Sequence, residues 1–232
     1  PDGFMDSGQI ARAKATVHSG IYQMEYGAIF TTDSQGFFKR SLLESCTTSP
    51  VDPVKLPSGE VWFEASLKGE SGKTYVFGVD PASEVDNFSI VVMEVNSDHR
   101  RIVHCWTTTR QQHKDKLKSK IVDEDDFYSY CAKKIRQLMK VYPCAEVAMD
   151  AQGGGIAVME ALHDKDKIPE GEVAIWPVIE EKAKDTDDHA GLHILRMCQF
   201  AKYEWLAEAN HGLRKDFEDK AILFPRFDAI TL

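Results

Sequence analysis

The chain has 232 residues, with 28 Lys and Arg against 37 Asp and Glu, and a formal net charge of −9. Its length is enough to bury a core without metal or disulfide support, and no segment approaches the roughly 18 consecutive apolar residues of a membrane span. Five cysteines without a CxxC pair favour a reducing compartment, and the acidic balance at first disfavours a nucleic-acid partner.

The first 60 residues lack a sustained hydrophobic period. Turn-forming residues cluster at 31–36 and 47–59, with three prolines in the second cluster. We therefore predict an N-terminal arm and linker over residues 1–60 and a folded domain over residues 61–232.

Three strands are predicted at the start of the domain. Residues 75–79, 87–96 and 101–109 are apolar runs rich in β-branched and aromatic side chains. Because the connections between them are short, we expect an antiparallel meander.

The hydrophobic period then changes to three or four residues. Asp125 or Asp126 can cap a helix over residues 127–141, which ends before Pro143. Further strands are predicted at 146–150, 173–179 and 221–225, and further helices at 156–163 and 190–210. The order βββαβαβα with a short last strand predicts an α/β protein, in which helices flank a mixed sheet.

Two acids follow predicted strands. Asp80 and Asp150 stand at the carboxyl ends of the first and fourth strands, where ligand sites of open α/β sheets lie. If these strands are neighbours, the two carboxylates share one crevice and repel each other unless a cation lies between them. Mg²⁺ and Mn²⁺ prefer such oxygen ligands. A hairpin after Asp80 would return Asp86 to the same rim as a third acid.

Each of these features also has a structural interpretation. An Asp before a proline commonly forms a turn, and Asp150 can cap the next helix. The glycines at 153–155 can bind a phosphate through backbone amides at a helix start, or simply form a tight turn.

Two other patterns resemble known sites but fail their requirements. Residues 69–74 (GESGKT) resemble a Walker A motif, yet Leu67 replaces the first glycine and the segment precedes a strand, so we predict a solvated hairpin turn. The spacing of His99, His104, Cys105 and His113 matches no usual zinc pattern.

The charge is unevenly distributed. Residues 100–120 contain seven basic side chains and one acid, whereas residues 164–188 contain nine acids and four lysines. A basic segment of this kind permits contact with a phosphate backbone despite the acidic total. The candidate DNA-binding side chains are Arg110, Lys114, Lys116, Lys118 and Lys120, and a merely solvated loop is the alternative.

These motifs together resemble the C-terminal nuclease domain of the large terminase subunit of tailed phages, the DNA-packaging motor protein. The stretches that carry the resemblance are residues 21–26 (IYQMEY) with 36–38 (GFF), residues 78–82 (GVDPA) with Asp86, and residues 147–150 (VAMD) with Gly153 and Gly154. Their order and spacing match over most of the chain.

The resemblance implies an RNase H-like fold and an endodeoxyribonuclease that cuts concatemeric double-stranded DNA with two Mg²⁺ or Mn²⁺ ions. It assigns Asp80 and Asp150 as catalytic metal ligands, with Asp86 as a weaker match and Gly153 and Gly154 beside the DNA. A third acid or His is expected from a late helix. That helix lies past residue 232, or the role falls to one of three acids: Asp187, Asp188 or Asp228.

The resemblance also implies partners and a location. They are the phage portal, the small terminase subunit and an ATPase domain of the same full-length protein, in the host cytoplasm and transiently at the procapsid portal vertex. No ATPase motif is found here, so we expect no ATP hydrolysis by this chain. The alternatives are a resolvase- or transposase-type nuclease, an actin-like nucleotide-binding module and a non-catalytic docking module.

Overall fold

The structure is a computed structural model that describes residues 8, 10–12, 38, 40–49, 54–55, 61–64, 68–81, 86–179 and 189–225. The strands are β1 Thr47–Ser49, β2 Val54–Lys55, β3 Val61–Glu64, β4 Thr74–Asp80, β5 Phe88–Val95, β6 Arg100–Thr108, β7 Cys144–Asp150, β8 Ile175–Pro177, β9 Leu192–Cys198 and β10 Ile222–Pro225. The helices are α1 Arg40–Ser45, α2 Arg110–Lys118, α3 Phe127–Val141, α4 Gly155–His163 and α5 Tyr203–Glu218.

The strands form a mixed sheet in the order β1-β10-β6-β5-β4-β7-β9-β8. Strands β4, β5 and β6 are antiparallel neighbours, which confirms the predicted meander. Strand β7 pairs in parallel with β4 and β9, and β8 pairs in parallel with β9. Strand β3 pairs antiparallel with β2 and with β6. The later strands are therefore joined by crossovers, as expected for a mixed α/β layer.

The main core lies between the sheet and helices α3 and α4. Ile135 and Leu138 of α3 and Val158 and Leu162 of α4 are buried in one cluster with apolar side chains of the central strands. The predicted cap of α3 is confirmed, because Asp126 Oδ2 accepts a hydrogen bond of 2.8 Å from the backbone N–H of Ser129.

The predicted helix over residues 190–210 is wrong. Strand β9 occupies its first part, and α5 begins only at Tyr203. Leu192, Leu195 and Cys198 recur every three residues and so imitate a helical period. Both edges of β9 are nevertheless hydrogen bonded, to β7 and to β8, and this pairing decides the conformation.

Helix α2 is absent from the sequence-based prediction because it has little apolar periodicity. Its start is instead fixed by a capping box, in which Thr109 Oγ1 accepts from the Gln112 N–H and Gln112 Oε1 accepts from the Thr109 N–H.

The predicted turn at residues 69–74 is present, and the Lys73 N–H donates to the Glu70 carbonyl oxygen at 3.2 Å. It is not a hairpin turn, because the preceding strand β3 pairs with β6 rather than with β4. The segment is therefore a connection between strands that are not hydrogen bonded to each other.

Most of the predicted arm lies outside the described residues, and the domain boundary at residue 60 stays a prediction. Within the described part, β1 pairs in parallel with β10, and Cys46 is buried with Phe217 and Phe224 in a second, smaller cluster. None of the described helices has the length and apolar character needed to cross a membrane.

Candidate metal and DNA site

Asp80 and Asp150 end two adjacent parallel strands. Val79 of β4 pairs with Met149 of β7, so the next residue of each strand brings the two acids to the same edge of the sheet. The first and fourth predicted strands are therefore neighbours, which is the condition under which the two carboxylates share one crevice. Buried apolar side chains at Val79 and Met149 anchor both strand ends, which fixes the backbone position of each carboxylate.

The electrostatics of Asp80 reflect this proximity. Burial raises the pKa of Asp80, and the negative charges of Asp150 and Asp86 raise it further. Asp86 is exposed and lies two residues before β5, which pairs with β4 through Ser89 and Asp80. The three acids thus contribute to one region of negative potential, which a bound cation would stabilise.

The glycine turn after β7 packs against the same acids. Gly153 has a φ of +56°, which favours glycine, and Asp150 Oδ1 accepts a hydrogen bond of 3.1 Å from the Gln152 N–H. A Cβ on Gly155 would lie 1.9 Å from the carbonyl oxygen of Asp150. The turn therefore has a structural requirement for glycine, in addition to any contact of Gly153 and Gly154 with DNA.

Four strands present their carboxyl ends at this edge. Because β5 is antiparallel to both β4 and β6, these two strands run in the same direction, and β7 and β9 are parallel to β4. Asp80, Ser89 and Thr107 lie in one row across the meander. The Ser89 and Thr107 hydroxyls are hydrogen bonded at 3.2 Å. The start of α2, just after β6, consequently belongs to the same edge.

Arg110, the first residue of α2, packs against two neighbouring aromatic rings. Its guanidinium carbon lies 4.8 Å from the ring centroid of Phe127 and 4.6 Å from that of Tyr128. Tyr128 in turn packs against the glycine turn, since a Cβ on Gly154 would lie 2.2 Å from the Tyr128 ring. The sequence-based prediction placed Phe127 on the apolar face of the helix and gave Tyr128 no role, and no local signal indicates their contact with Arg110.

The candidate DNA-binding lysines differ in exposure. Lys114, Lys118 and Lys120 are exposed, whereas Lys116 is only 8% exposed. The Lys116 Nζ donates a hydrogen bond of 2.8 Å to the Tyr130 hydroxyl. A direct phosphate contact is consequently better supported for the three exposed lysines than for Lys116.

The third metal ligand is not found in the described part of the chain. Asp187, Asp188 and Asp228 lie outside it. Among the described residues no three His, Cys, Asp or Glu side chains are arranged to hold one ion, so Asp80, Asp86 and Asp150 do not form such a set. A cation bound at Asp80 and Asp150 would therefore take further ligands from elsewhere, such as water, substrate phosphate or residues outside the described ranges.

The other candidate side chains of the sequence have structural surroundings. His104 is buried in the core, with its ring centroid 5.9 Å from that of Tyr142. Burial raises the pKa of the Cys105 thiol to about 11, which makes this side chain a poor metal ligand at neutral pH.

Comparisons with known proteins identify the fold. No protein-family model and no curated protein matches the sequence. Among solved structures, the chain is similar to the large terminase nuclease of the thermophilic phage G20c, with a TM-score of 0.50 and 13% identity over 82% of this chain and 76% of that one. The same nuclease with bound magnesium gives a TM-score of 0.52 at 14% identity, covering 82% and 75% of the two chains. Its form with bound zinc gives 0.50 at 14%, covering 82% of each chain.

The chain therefore has the RNase H-like fold of large terminase nuclease domains. This confirms the fold class predicted from the sequence. At this level of identity the similarity establishes the fold, and the chemistry must be argued from the residues at the carboxyl edge of the sheet.

Proposed function

We propose that this chain is the metal-dependent endonuclease domain of a viral DNA-packaging terminase. The observation that supports this most directly is the convergence of Asp80 and Asp150 at the ends of adjacent parallel strands, in a fold shared with terminase nucleases. Paired carboxylates at this edge are suited to phosphodiester hydrolysis with divalent cations. The acidic net charge does not oppose DNA binding, because part of it belongs to this proposed metal site.

The donor set fits hard divalent cations. Asp80 and Asp150 supply oxygen ligands from rigid strands. Burial and, after it, the nearby charges of Asp150 and Asp86 raise the pKa of Asp80, and a bound cation would offset both effects. We assign two Mg²⁺ or Mn²⁺ ions to Asp80 and Asp150, with Asp187, Asp188 or Asp228 as candidates for the third acid. Asp86 adds negative charge nearby but does not complete a ligand set with the other two. When bound, these cations supply Lewis-acid assistance to water attack and to departure of the 3′ oxygen.

The chain's own groups position the substrate. The strand ends fix the two carboxylates, and the backbone amides of the glycine turn at 153–155 are candidates for contact with a DNA phosphate. Lys114, Lys118 and Lys120 add positive charge along the exposed part of α2 and its end. Such contacts attract the phosphate backbone without reading its sequence.

The proposed substrate is concatemeric double-stranded DNA. Within a full-length terminase, the domain would act beside an ATPase domain of the same protein, together with the phage portal and the small terminase subunit. These partners place it in the host cytoplasm and transiently at the portal vertex. Isolated activity is expected to be low, since holding the DNA would depend on the motor, and we expect no ATP hydrolysis.

The test is plasmid cleavage in Mn²⁺ by Asp80→Asn and Asp150→Asn variants. Each should lose cleavage without a decrease in the melting temperature. The matched control is Asp98→Asn, since Asp98 is exposed on the β5–β6 connection at the opposite edge of the sheet. Full activity in either variant would overturn the assignment. A strong preference for four-way junctions over linear duplex would instead favour the resolvase alternative.

A further inference from the structure

We propose that Arg110 binds a backbone phosphate of the DNA strand that lies over Asp80 and Asp150. This inference rests on the proposed nuclease function and deepens it. It separates Arg110 from the exposed lysines of α2, which supply only diffuse attraction. The position of Arg110, its aromatic surroundings and its unused hydrogen-bonding capacity support this role.

The position of Arg110 follows from the sheet. Thr107 shares a row with Asp80, and α2 begins three residues later, with Thr109 as its cap. The two reciprocal hydrogen bonds of the capping box, between Thr109 and Gln112, fix the first turn of α2 and with it the backbone of Arg110. A cationic side chain is thus built into the rim of the crevice that holds the acids.

The aromatic rings fix the direction of the side chain. Packing against Phe127 and Tyr128 restricts a long side chain that would otherwise lose rotamer entropy on binding. Tyr128 also contacts Gly154, so the same ring connects Arg110 to the turn that follows Asp150. The guanidinium is therefore pre-oriented beside the proposed cleavage site.

The guanidinium has free donors. Its Nε is buried and has no hydrogen-bond partner among the described residues, and its side chain as a whole is partly exposed. The neighbouring carboxylate, Asp126, interacts electrostatically with Arg110, but its Oδ2 accepts hydrogen bonds of 2.8 and 2.6 Å from the N–H and Oγ of Ser129 and it has no hydrogen bond to Arg110 among the described residues. Arginine presents a planar fork of donors that matches a phosphate group, which lysine cannot reproduce.

The location at a helix start supports an anionic ligand. Arg110 is at the first position of α2, the first turn contains no acid, and a cation there is unfavourable beside the positive end of the helix dipole. A phosphate would bind both the guanidinium and the helix start favourably. Arg110, whose positive charge is unfavourable at the start of α2, is therefore well placed to bind a phosphate there.

The test compares Arg110→Gln and Arg110→Lys with Lys114→Gln, a control on the same helix whose side chain is exposed. The measurements are cleavage kinetics in Mn²⁺, duplex binding in EDTA over a range of salt, and the melting temperature. We expect Arg110→Gln to lower kcat/KM roughly tenfold to a hundredfold. Lys114→Gln should change kcat/KM much less, and both substitutions should flatten the salt dependence of binding.

Arg110→Lys separates charge from geometry. It should keep the wild-type salt dependence and melting temperature, yet recover little of the lost kcat/KM, because lysine lacks the fork. Equal kinetics for Arg110→Gln and Lys114→Gln would overturn the role of Arg110. A wild-type kcat/KM in Arg110→Lys would overturn the claim that the geometry of the guanidinium donors is required. Either result, with Asp80→Asn still inactive, leaves the nuclease assignment intact, whereas an active Asp80→Asn overturns that assignment separately.

Discussion

Asp80 and Asp150 are brought together by the parallel pairing of β4 with β7, one residue beyond the Val79–Met149 pair. Burial and the charges of Asp150 and Asp86 raise the pKa of Asp80, which means that the fold disfavours the ionised form of this carboxylate. Such a cost is commonly found at functional sites, where a cation or substrate compensates for it.

The like-charge pair predicts an unusual effect on stability. Asp80→Asn should not lower the melting temperature of the metal-free protein in EDTA, and we expect a small increase, because the substitution removes a repelled, half-desolvated charge. Added Mn²⁺ should raise the melting temperature of the wild type and not that of the variant. Differential scanning calorimetry with and without Mn²⁺ measures both. An equal Mn²⁺ shift in the two proteins would place the cation elsewhere.

The glycine turn gives a second prediction. Gly155→Ala should destabilise the protein by roughly 1–3 kcal/mol, because the new methyl group would meet the carbonyl oxygen of Asp150. Gly212→Ala in α5 is the control. Among the described residues, no atom outside the adjacent turns of α5 lies within 4 Å of the position that its methyl group would take, so that substitution should stabilise the helix by about 1 kcal/mol. Urea unfolding measures both changes. A neutral Gly155→Ala would mean that the turn can move away from Asp150.

A buried ion network predicts the acid sensitivity of the sheet. The Glu94 side chain is 3% exposed and accepts hydrogen bonds from Asn96, Arg101 and Lys73 at 3.0, 3.1 and 3.3 Å. Although burial opposes its ionisation, these partners lower the pKa of Glu94 to about 2, from the ordinary 4.5. The network therefore stabilises the fold above pH 4.5, and this contribution is lost as the pH falls from 4.5 towards 2.

Glu94→Gln should consequently cost up to about 3 kcal/mol at neutral pH. It should also flatten the pH dependence of stability below pH 4.5. Urea unfolding at pH 7 and in steps below pH 4.5 gives both numbers. An unchanged acid profile in the variant would exclude Glu94 as the source.

His104 predicts a second pH effect, at higher pH. Burial, together with the charge of Lys134, lowers the pKa of His104 to about 4, from the ordinary 6.5. The unfolded chain therefore binds a proton between pH 6.5 and 4 that the folded chain does not, and stability falls as the pH is lowered through this window. His104→Phe should remove that slope, whereas His99→Gln, at a partly exposed position, should keep it. Chemical denaturation at pH 7, 6 and 5 distinguishes the two variants.

The basic segment predicts a separation of roles between two lysines. Lys116→Gln should destabilise the protein, because it removes the hydrogen bond to Tyr130 and a cation placed 5.3 Å from that ring centroid. It should leave the salt dependence of DNA binding nearly unchanged. Lys118→Gln, at an exposed position, should leave the stability nearly unchanged and flatten the salt dependence of DNA binding. Melting curves and fluorescence anisotropy at several salt concentrations test this, and an equal salt slope for both variants would contradict it.

Much of the fold was predictable from local patterns. The apolar runs at β4, β5, β6 and β7 and the capped helix α3 are strong signals, because each combines a period with a clear start or end. Asp80 and Asp150 were identified on the same grounds, since each directly follows such a run. The region around β9 was mispredicted because its apolar spacing fits both a helix and a strand.

The sequence by itself determined which carboxylates end the strands and which segment carries the basic side chains. Only the tertiary structure decided that β7 lies beside β4, that β9 is a strand, that Lys116 turns inward and that Arg110 is held by Phe127 and Tyr128. The physical reason is that strand pairing and ring stacking join residues far apart in the chain. Local periodicity contains no information on which distant partner supplies the hydrogen bonds and contacts.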